Sequence, residues 1–538
     1  MPKETRDPVT RPLGAQISHM LKDRGVDVIF GIPGVHNQEM YRGIEEAGIT
    51  HVLARHEQGA GFMADGYARA SGKPGVAYVI TGPGLCNIMT PMGQAYSDSV
   101  PMLVISSCLD EVAATRGQLH QMKDQRAAAE TVCDWSEEAR TADAAYTLID
   151  RALREFEIAR PRSKHIQVPI AALEAQALPA PAPDMQRTTG SFHLMHDEMA
   201  HIETLLKQAK KPIFVLGGGS GSENNLHDIV RWSGALVVTT YAGRGVYPGD
   251  DERCLGAVLA RPGSADIFAQ ADLVIAVGTE LAEVDLWRDG LGHDCPMIRV
   301  DIDPEVLATC KAGDVAVQAT AQAFFNDLFN RMEAWAEDKP FVWDRDKVAA
   351  QAAAFRAEVD AERPGIVPIC DALRAAIPKD TMIYSDMTQF AYVAKEVWDM
   401  ERPAHWHHPY GFGTLGYATP AAIGGAIARK GNPTMAIIGD YGFHYTCQEL
   451  GVAVELGLSL PIILWDNGKL GEIEDSMVGA QIAPNAVVAH NPDFCKLAEA
   501  FGARSAAPQT IEAFQQAVSE AFEADGPTLI YATPALTA

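Results

Sequence analysis

The feature that most constrains the fold is a repeated alternation of short apolar runs with helix-forming segments. From Val26 the chain shows VDVIFGI, then a helical pattern, the short strand HVLA, another helix, and the runs AYVITGPG and LVISSC, before the block closes near HIQVPI. Apolar runs that end in glycine or serine and alternate with helices are typical of a parallel sheet with helical crossovers. This block is therefore predicted to be an α/β unit.

The same alternation occurs twice more in the 538 residues, a length that favours about three domains. A second block contains KPIFVLGGGS, ALVVTTYAGRG, ADLVIAVGTEL and MIRVDIDPE, and a third contains TMIYSD, TMAIIGD, PIILWDN and LIYAT. The proline-rich LPAPAPD predicts a boundary near residues 178–192, and a polar, helix-prone stretch from Asp338 to Arg363 links the last two blocks. We predict an α/β protein with three doubly wound, parallel-sheet domains, at residues 1–180, 192–335 and 350–538.

Composition excludes several classes of protein. A formal net charge of −26 would repel nucleic acid and anionic membranes. No run of about eighteen apolar residues and no signal-peptide pattern is found, so we expect a cytoplasmic protein. The nine cysteines form no C-x-x-C pair, which disfavours a zinc site and a disulfide framework.

Polar residues follow two strands of the third block. Gly439 and Asp440 end TMAIIGD, and Asn467 ends PIILWDN. In a right-handed βαβ unit with neighbouring strands these ends lie side by side, where a carboxylate and an amide oxygen suit Mg²⁺. Backbone N–H groups around Tyr441 and Gly442 would meet phosphates. An ordinary Asp turn and an Asn turn are the alternative for this segment taken alone.

The segment AIIGDYGFHYTCQELGVAVELGLSLPIILWDN resembles the diphosphate-binding motif of thiamine-diphosphate enzymes, G-D-G followed some two dozen residues later by N-N. The resemblance implies three Mg²⁺ ligands: Asp440, Asn467 and the main-chain carbonyl of Lys469. Two positions depart from the motif, Tyr441 in place of glycine and Asp466 in place of asparagine. Neither departure removes an expected ligand.

Upstream, HHPYGFGTLGYATPAAIGGAIA resembles the acetohydroxyacid-synthase-like family of these enzymes. The resemblance implies that Leu415 props the cofactor into a bent shape and that the Gly413 carbonyl accepts from the pyrimidine amino group. It also assigns Gln389 to cofactor binding. Without the resemblance, Leu415 would be read as a core leucine.

The run ARHEQGAGFMADGYARASGKPGVAYVITGPGLCN is the strongest signature of this family in the chain. Glu57 precedes a helix predicted to begin near Gly59, so taken alone it could be a simple cap. The resemblance instead makes it the glutamate that shares a proton with the pyrimidine N1′, which activates the thiazolium carbon. Gly82, Gly84 and Asn87 would lie over the pyrimidine.

The resemblance also implies that two subunits share each site, so we expect a homodimer at least, with a homotetramer common among relatives. The middle block occurs both in relatives that carry FAD and in relatives that do not, and FAD is not favoured. We expect no nucleic-acid or membrane partner.

Two reactions are compatible with these residues: decarboxylation of a 2-oxo acid through a ylid and an enamine, and an acetolactate-synthase type of carboligation. A silent cofactor-binding homologue is a third hypothesis, against which the intact Glu57, Asp440 and Asn467 weigh.

Three pocket segments favour decarboxylation. They are FGIPGVHNQEMYRG with His36, GQLHQMKDQ with His120 and Gln121, and DNGKLGEIED with Glu472. Together they resemble the subgroup of 5-guanidino-2-oxopentanoate decarboxylase. Glu472 could pair with a guanidinium, or be a solvated glutamate at a helix start. The two histidines are candidate proton donors, or structural histidines.

Overall fold

A computed structural model describes residues 9–111, 117–182, 194–221, 225–335 and 339–537. The boundary predicted near residues 178–192 lies mostly outside the described residues, because residues 183–193 are not among them. Residues 1–8 and Asp338 lie outside them as well. The domain limits at 180, 192, 335 and 350 therefore stay predictions. The units below are named for their sheets: the first, middle and third units.

The first unit is built on a six-stranded parallel sheet in the spatial order β3-β2-β4-β5-β7-β6, and β1 pairs antiparallel with β8. Its strands are β1 Arg11–Pro12, β2 Val28–Gly31, β3 Thr50–Leu53, β4 Gly75–Val79, β5 Met102–Cys108, β6 Trp135–Glu138, β7 Lys164–Pro169 and β8 Gln176–Ala177. Its helices are α1 Leu13–Asp23, α2 Gln38–Ala47, α3 Glu57–Ser71, α4 Pro83–Ser97, α5 Gln125–Glu130, α6 Ala142–Ile158 and α7 Ile170–Glu174.

The middle unit has a five-stranded parallel sheet in the order β10-β9-β11-β12-β13. Its strands are β9 Pro212–Leu216, β10 Leu236–Thr239, β11 Leu273–Val277, β12 Met297–Asp301 and β13 Val315–Gln318. Its helices are α8 His196–Gln208, α9 Leu226–Ser233, α10 Ser264–Phe268, α11 Glu283–Leu286, α12 Pro304–Leu307 and α13 Ala321–Glu333.

The third unit has a six-stranded parallel sheet in the order β15-β14-β16-β17-β19-β18. Its strands are β14 Met382–Ser385, β15 Trp406–His407, β16 Thr434–Gly439, β17 Pro461–Trp465, β18 Arg504–Ala506 and β19 Thr528–Ala532. Its helices are α14 Arg345–Glu362, α15 Ile366–Ala376, α16 Gln389–Val397, α17 Ala418–Ala428, α18 Asp440–Thr446, α19 Leu450–Glu455, α20 Gly471–Gly479, α21 Phe494–Ala500 and α22 Ile511–Phe522.

Each sheet buries both faces, which is why its strands are apolar throughout. In β4, Val76 and Tyr78 join one core cluster, whereas Ala77 and Val79 join another on the opposite face. Alternate residues of β16 and β9 are divided between two clusters in the same way. The three-unit, doubly wound α/β prediction is confirmed.

The first and third units meet where α3 crosses α17, and glycines make the crossing close. A Cβ atom on residue 66 would lie 1.9 Å from the Ala421 carbonyl oxygen, and one on residue 424 would lie 1.9 Å from that of Met63. One core cluster contains residues from both the first and the third sheet. The two units therefore share a core.

None of the helices in the described ranges combines the length and the apolar character that a membrane crossing requires.

Candidate active site

Glu57 is the first residue of α3, two positions before the predicted helix start, because the side chain of His56 caps the helix by accepting from Gln58 N at 3.1 Å. The Glu57 side chain is buried, and its Oε2 accepts a hydrogen bond of 2.9 Å from Asn87 Nδ2 on α4. A Cβ atom on Gly84 would lie 3.5 Å from the other oxygen, Oε1. The connections from β3 to α3 and from β4 to α4, on either side of β2 in the sheet, thus converge on this carboxylate.

His36 and His120 lie against one another, with ring centroids 4.9 Å apart in an edge-to-face arrangement. The Nδ1 atom of each is buried and has no hydrogen-bond partner among the described residues. Burial, followed by the charge of His120, lowers the pKa of His36. The backbone of His120 has φ +62°, and Gly82, with φ +70°, leaves room for its carbonyl. The pair is therefore adjacent to the Gly82 turn.

Gln121 lies in the same loop. Its Oε1 accepts from Gln118 N at 3.0 Å, and its backbone N donates to Gln118 O. These bonds place its side chain in a local turn beside His120.

Asp440 follows β16, which pairs with β17 so that Gly439 lies opposite Trp465. Its Oδ2 accepts from Asn491 Nδ2 at 2.8 Å, and the same amide donates to Asp466 Oδ1 at 3.0 Å. Burial raises the pKa of Asp440, and the nearby Asp466 carboxylate adds to the effect, although the Asn491 bond opposes it. Two carboxylates therefore lie together at the ends of neighbouring strands.

Asn467 and Lys469 belong to the loop after β17. Asn467 Nδ2 donates to Gln389 Oε1 at 2.8 Å, and its Oδ1 accepts from Lys469 N at 3.3 Å. Asp466 is not one of the ligands that the resemblance implies. Its carboxylate instead fixes this loop, because Oδ1 accepts from Gly468 N and Oδ2 accepts from the Tyr531 hydroxyl, both at 2.8 Å. Gly468 has φ +70°, which allows the tight turn.

The donors around Asp440 fit a magnesium ion. A carboxylate, an amide oxygen and a backbone carbonyl are hard oxygen donors, which Mg²⁺ prefers. Within the described ranges, no Lys or Arg side chain forms an ion pair with Asp440 or Asp466 that would take the place of a metal cation. Gly442 packs so tightly that a Cβ atom there would lie 3.0 Å from Asp386 Cγ.

The Gly413–Leu415 loop lies beside the end of β14. Gly413 has φ +66°, and a Cβ atom there would lie 3.7 Å from Met387 Cε. Leu415 is only half-buried, as is Tyr441, so neither is a fully enclosed core residue. Since β14 pairs with β16, this loop is on the same edge of the sheet as Asp440.

Glu472, in the first turn of α20, already binds a guanidinium in this structure. Arg363 Nε donates to its Oε1 and Arg363 Nη2 to its Oε2, both at 2.9 Å. Burial acts to raise the pKa of Glu472, but the hydrogen bonds and charge of Arg363 outweigh it and hold the pKa below its ordinary value. The side chain is thus neither a freely solvated glutamate nor an unpaired one.

Three further side chains belong to the site and were not predicted. Asn491 bridges the two carboxylates, and Arg363 pairs with Glu472. Asp386 is fully buried beneath Gly442, where desolvation raises its pKa to about 7 although backbone N–H groups, among them that of Ala418, donate to it. An aspartate directly after the apolar run TMIYS was a signal that could have singled it out.

A fourth, Glu449, links the third unit to the segment that precedes Glu57. It is fully buried after the short turn that follows α18, and its carboxylate accepts from Arg55 N at 3.0 Å. Burial raises the pKa of Glu449 to about 7. An acid within the largely apolar stretch after α18 was the available signal.

The predicted residues form two clusters. Glu57, Asn87, Gly82, His36 and His120 form the first. The second comprises Asp440, Asn467, Lys469, Gln389, Glu472 and the glycines beside them. Within the described part of the chain, no hydrogen bond or ion pair joins Glu57 or Asn87 to Asp440 or Asn467.

Three family models match the chain in sequence order. They describe the N-terminal TPP binding domain of thiamine pyrophosphate enzymes at residues 11–128, the central domain at 199–328, and the C-terminal TPP binding domain at 386–532. Thiamine pyrophosphate is thiamine diphosphate, so these matches agree with the donors described above. The cofactors are thiamine diphosphate and Mg²⁺, and FAD is not favoured.

Relatives match over nearly the whole chain. A protein of Pseudomonas aeruginosa named "probable 2-ketoarginine decarboxylase" is 39% identical over 97% of this chain and 94% of its own length. An acetolactate synthase of Mycobacterium bovis is 27% identical over 91% of this chain and 82% of its own. The large subunit of acetolactate synthase isozyme 2 of Escherichia coli is 26% identical over 96% and 95%. The chain belongs to the thiamine pyrophosphate enzyme family.

Proposed function

We propose that the protein decarboxylates a 2-oxo acid that ends in a guanidinium group, such as 5-guanidino-2-oxopentanoate, to the aldehyde and carbon dioxide. The observation that carries the substrate class is the two-pronged contact of Glu472, since this carboxylate binds a guanidinium in the geometry that a substrate would use. The 39% identity to a protein named for 2-ketoarginine, the same acid, supports it.

The residues take the following roles in this proposal. Asp440, Asn467 and the Lys469 carbonyl hold Mg²⁺, and Gln389 fixes the Asn467 amide. Glu57 exchanges a proton with N1′ of the pyrimidine, with Asn87 fixing its Oε2. Bound thiamine diphosphate would supply the electron sink for the bonding pair released with carbon dioxide.

One proton must replace the lost carbon dioxide, and His36 and His120 are the proposed source. Their unpartnered Nδ1 atoms lie next to the Glu57 cluster and are available to exchange a proton with a bound molecule. Gln121 beside them is proposed to bind the substrate carboxylate.

The test is a panel of 2-oxo acids incubated with the holoenzyme, with products identified by mass spectrometry. We expect 4-guanidinobutanal from the guanidino acid and little turnover of pyruvate. Acetolactate from pyruvate as the main product would replace this proposal with the carboligase that the acetolactate synthases suggest. Turnover of no acid would favour a silent homologue.

We further propose a cytoplasmic homodimer or homotetramer in which the Glu57 cluster of one copy faces the Asp440 cluster of another. All nine cysteines are unpaired thiols, which agrees with a reducing compartment.

A further inference from the structure

Arg363 engages Glu472 as a substrate guanidinium would. Two of its nitrogens bind the two Glu472 oxygens at 2.9 Å. A third, Nη1, donates to Glu362 Oε2 at 3.1 Å, and the guanidinium carbon lies 5.8 Å from the centroid of the Tyr392 ring. Arg363 therefore has two anions and an aromatic face within reach, and Glu472 is only one of its partners.

Glu472 lies next to the metal-binding cluster. A Cβ atom on Gly471, the residue before Glu472, would lie 2.7 Å from Gln389 Nε2 and 3.0 Å from Asn467 Nδ2, and Gln389 Oε1 accepts from Asn467. The Glu472 side chain is 34% exposed and that of Arg363 is 19% exposed, so both partners of the ion pair can be reached from solvent.

We propose that Arg363 occupies the subsite for the substrate's cationic end, and that the guanidinium of the substrate displaces it from Glu472. This inference rests on the proposed function. Arg363 would keep its bond to Glu362 and its contact with Tyr392, so it need not become an unpaired buried cation.

The exchange makes Arg363 a specificity residue. Replacing one guanidinium by another leaves the charge of the subsite unchanged. An uncharged substrate cannot compensate Glu472, so it gains nothing from the subsite whether Arg363 is present or absent. Neutral 2-oxo acids are therefore disfavoured because they form no ion pair, and Arg363 changes only the affinity for the cationic acid.

The rival explanation is that Arg363 is a clamp that orients Glu472 and never leaves it. The two explanations predict opposite effects of removing the arginine. If Arg363 is a clamp, substrate binding needs it. If Arg363 is an occupant, it competes with the substrate, because a ligand binds more weakly to a site that is open for only a fraction of the time.

The experiment compares Arg363→Gln and Glu472→Gln with the wild-type holoenzyme, using 5-guanidino-2-oxopentanoate and its uncharged isostere 5-ureido-2-oxopentanoate. For Arg363→Gln we expect the ratio of the two kcat/KM values, guanidino over ureido, to rise about three- to tenfold. Glu472→Gln should abolish the preference. Arg363→Lys keeps the charge without the two-pronged geometry and should give an intermediate ratio.

Arg24→Gln is the matched control, since Arg24 binds Asp150 with the same two-pronged geometry, at 2.9 and 3.0 Å, in the first unit. Its ratio should equal that of the wild type. An unchanged or lower ratio in Arg363→Gln would overturn the exchange and favour the clamp.

A binding measurement separates this inference from the proposed function. Calorimetric titration with 4-guanidinobutanoate, which has no 2-oxo group to react, should show tighter binding to Arg363→Gln than to the wild type, even if no guanidino acid is turned over. Turnover failing while this tightening holds would overturn the proposed function alone. Equal or weaker binding to the variant, or binding to neither protein, would overturn the exchange.

Discussion

The Asn87 amide and the Glu57 carboxylate meet across two different strand-to-helix connections, with Nδ2 and Oε2 2.9 Å apart. Because one oxygen is held in this way, the orientation of the carboxylate is set by the protein before any cofactor binds. Asn87 is therefore a positioning residue for Glu57 in the proposed site.

Glu57→Gln should keep the binding of thiamine diphosphate but lower kcat by about 10²–10⁴-fold, the usual contribution of an acid–base group. Asn87→Ala leaves the carboxylate but frees it to rotate, so we expect a smaller fall in kcat. Steady-state kinetics and calorimetric titration of the cofactor measure both effects. Turnover of Glu57→Gln at the wild-type rate would remove Glu57 from the mechanism.

Mixing two inactive variants tests whether copies share a site. If Glu57 of one copy acts with Asp440 of another, a heterodimer of Glu57→Gln and Asp440→Ala contains one site with both residues intact. Co-refolded or co-expressed mixtures should then regain up to about a quarter of wild-type activity, since random pairing makes about half of the dimers mixed. If both residues act within one chain, every site in the mixture is damaged and activity stays at the level of the parents.

Asn491→Ala should weaken the Mg²⁺ site, because this amide holds both Asp440 and Asp466. Loss of a residue that orients a metal ligand typically costs about 10-fold or more in affinity. Titration of Mg²⁺ into the metal-free enzyme at a fixed thiamine diphosphate concentration gives the shift. Asn485→Ala is the control, since Asn485 is exposed and its amide donates to Ala483 O; an equal shift in both variants would contradict a specific role.

Gly424→Ala should destabilise the protein, because its Cβ atom would lie 1.9 Å from the backbone oxygen of Met63. Backbone atoms cannot move aside as a flexible side chain does, so we expect the free energy of unfolding to fall by about 1–3 kcal/mol or more. Differential scanning fluorimetry should show a lower melting temperature. Gly479→Ala, also in a helix but with open space around it, should match the wild type or exceed it.

His165 should make the protein sensitive to acid. It is fully buried between the Ser106 and Ser136 hydroxyls, and burial lowers its pKa to about 3. An unfolded chain would bind a proton below pH 6.5 that the native protein excludes, so stability falls as the pH drops from 6.5 toward 3. The loss from this group reaches about 2 kcal/mol at pH 5.

His165→Gln removes the group that binds this proton in the unfolded chain. The melting temperature should therefore change less between pH 7 and pH 5 than it does in the wild type. His490→Gln, at an exposed histidine, is the control for the substitution itself. The same acid slope in His165→Gln as in the wild type would show that other groups cause it.

The apolar runs were sufficient to predict the sheets, because strands buried on both faces must be apolar along their whole length. They also placed Asp440 and Asn467 at neighbouring strand ends, since a short βαβ connection joins β16 to β17. Asn491 could not be predicted, since a single asparagine in a loop carries no periodic signal.

Partners across long sequence separations escaped prediction for a related reason. Arg363 lies 109 residues before Glu472, and the packing of α14 on α16 within the third unit brings the two together. Helix α3 starts at Glu57 and not near Gly59 because the ring of His56 caps it. Histidine is not among the preferred capping residues, so the sequence did not indicate this start.

The backbone-to-backbone contact of α3 with α17 has a mechanical consequence. Shear motions between domains usually take place across a layer of interdigitated side chains, and the glycines remove that layer between α3 and α17. Sliding α3 along α17 by even one residue would cause a steric clash between the two backbones. The first and third units of a chain should therefore move as one rigid body, so access to the proposed site should not depend on a hinge between them.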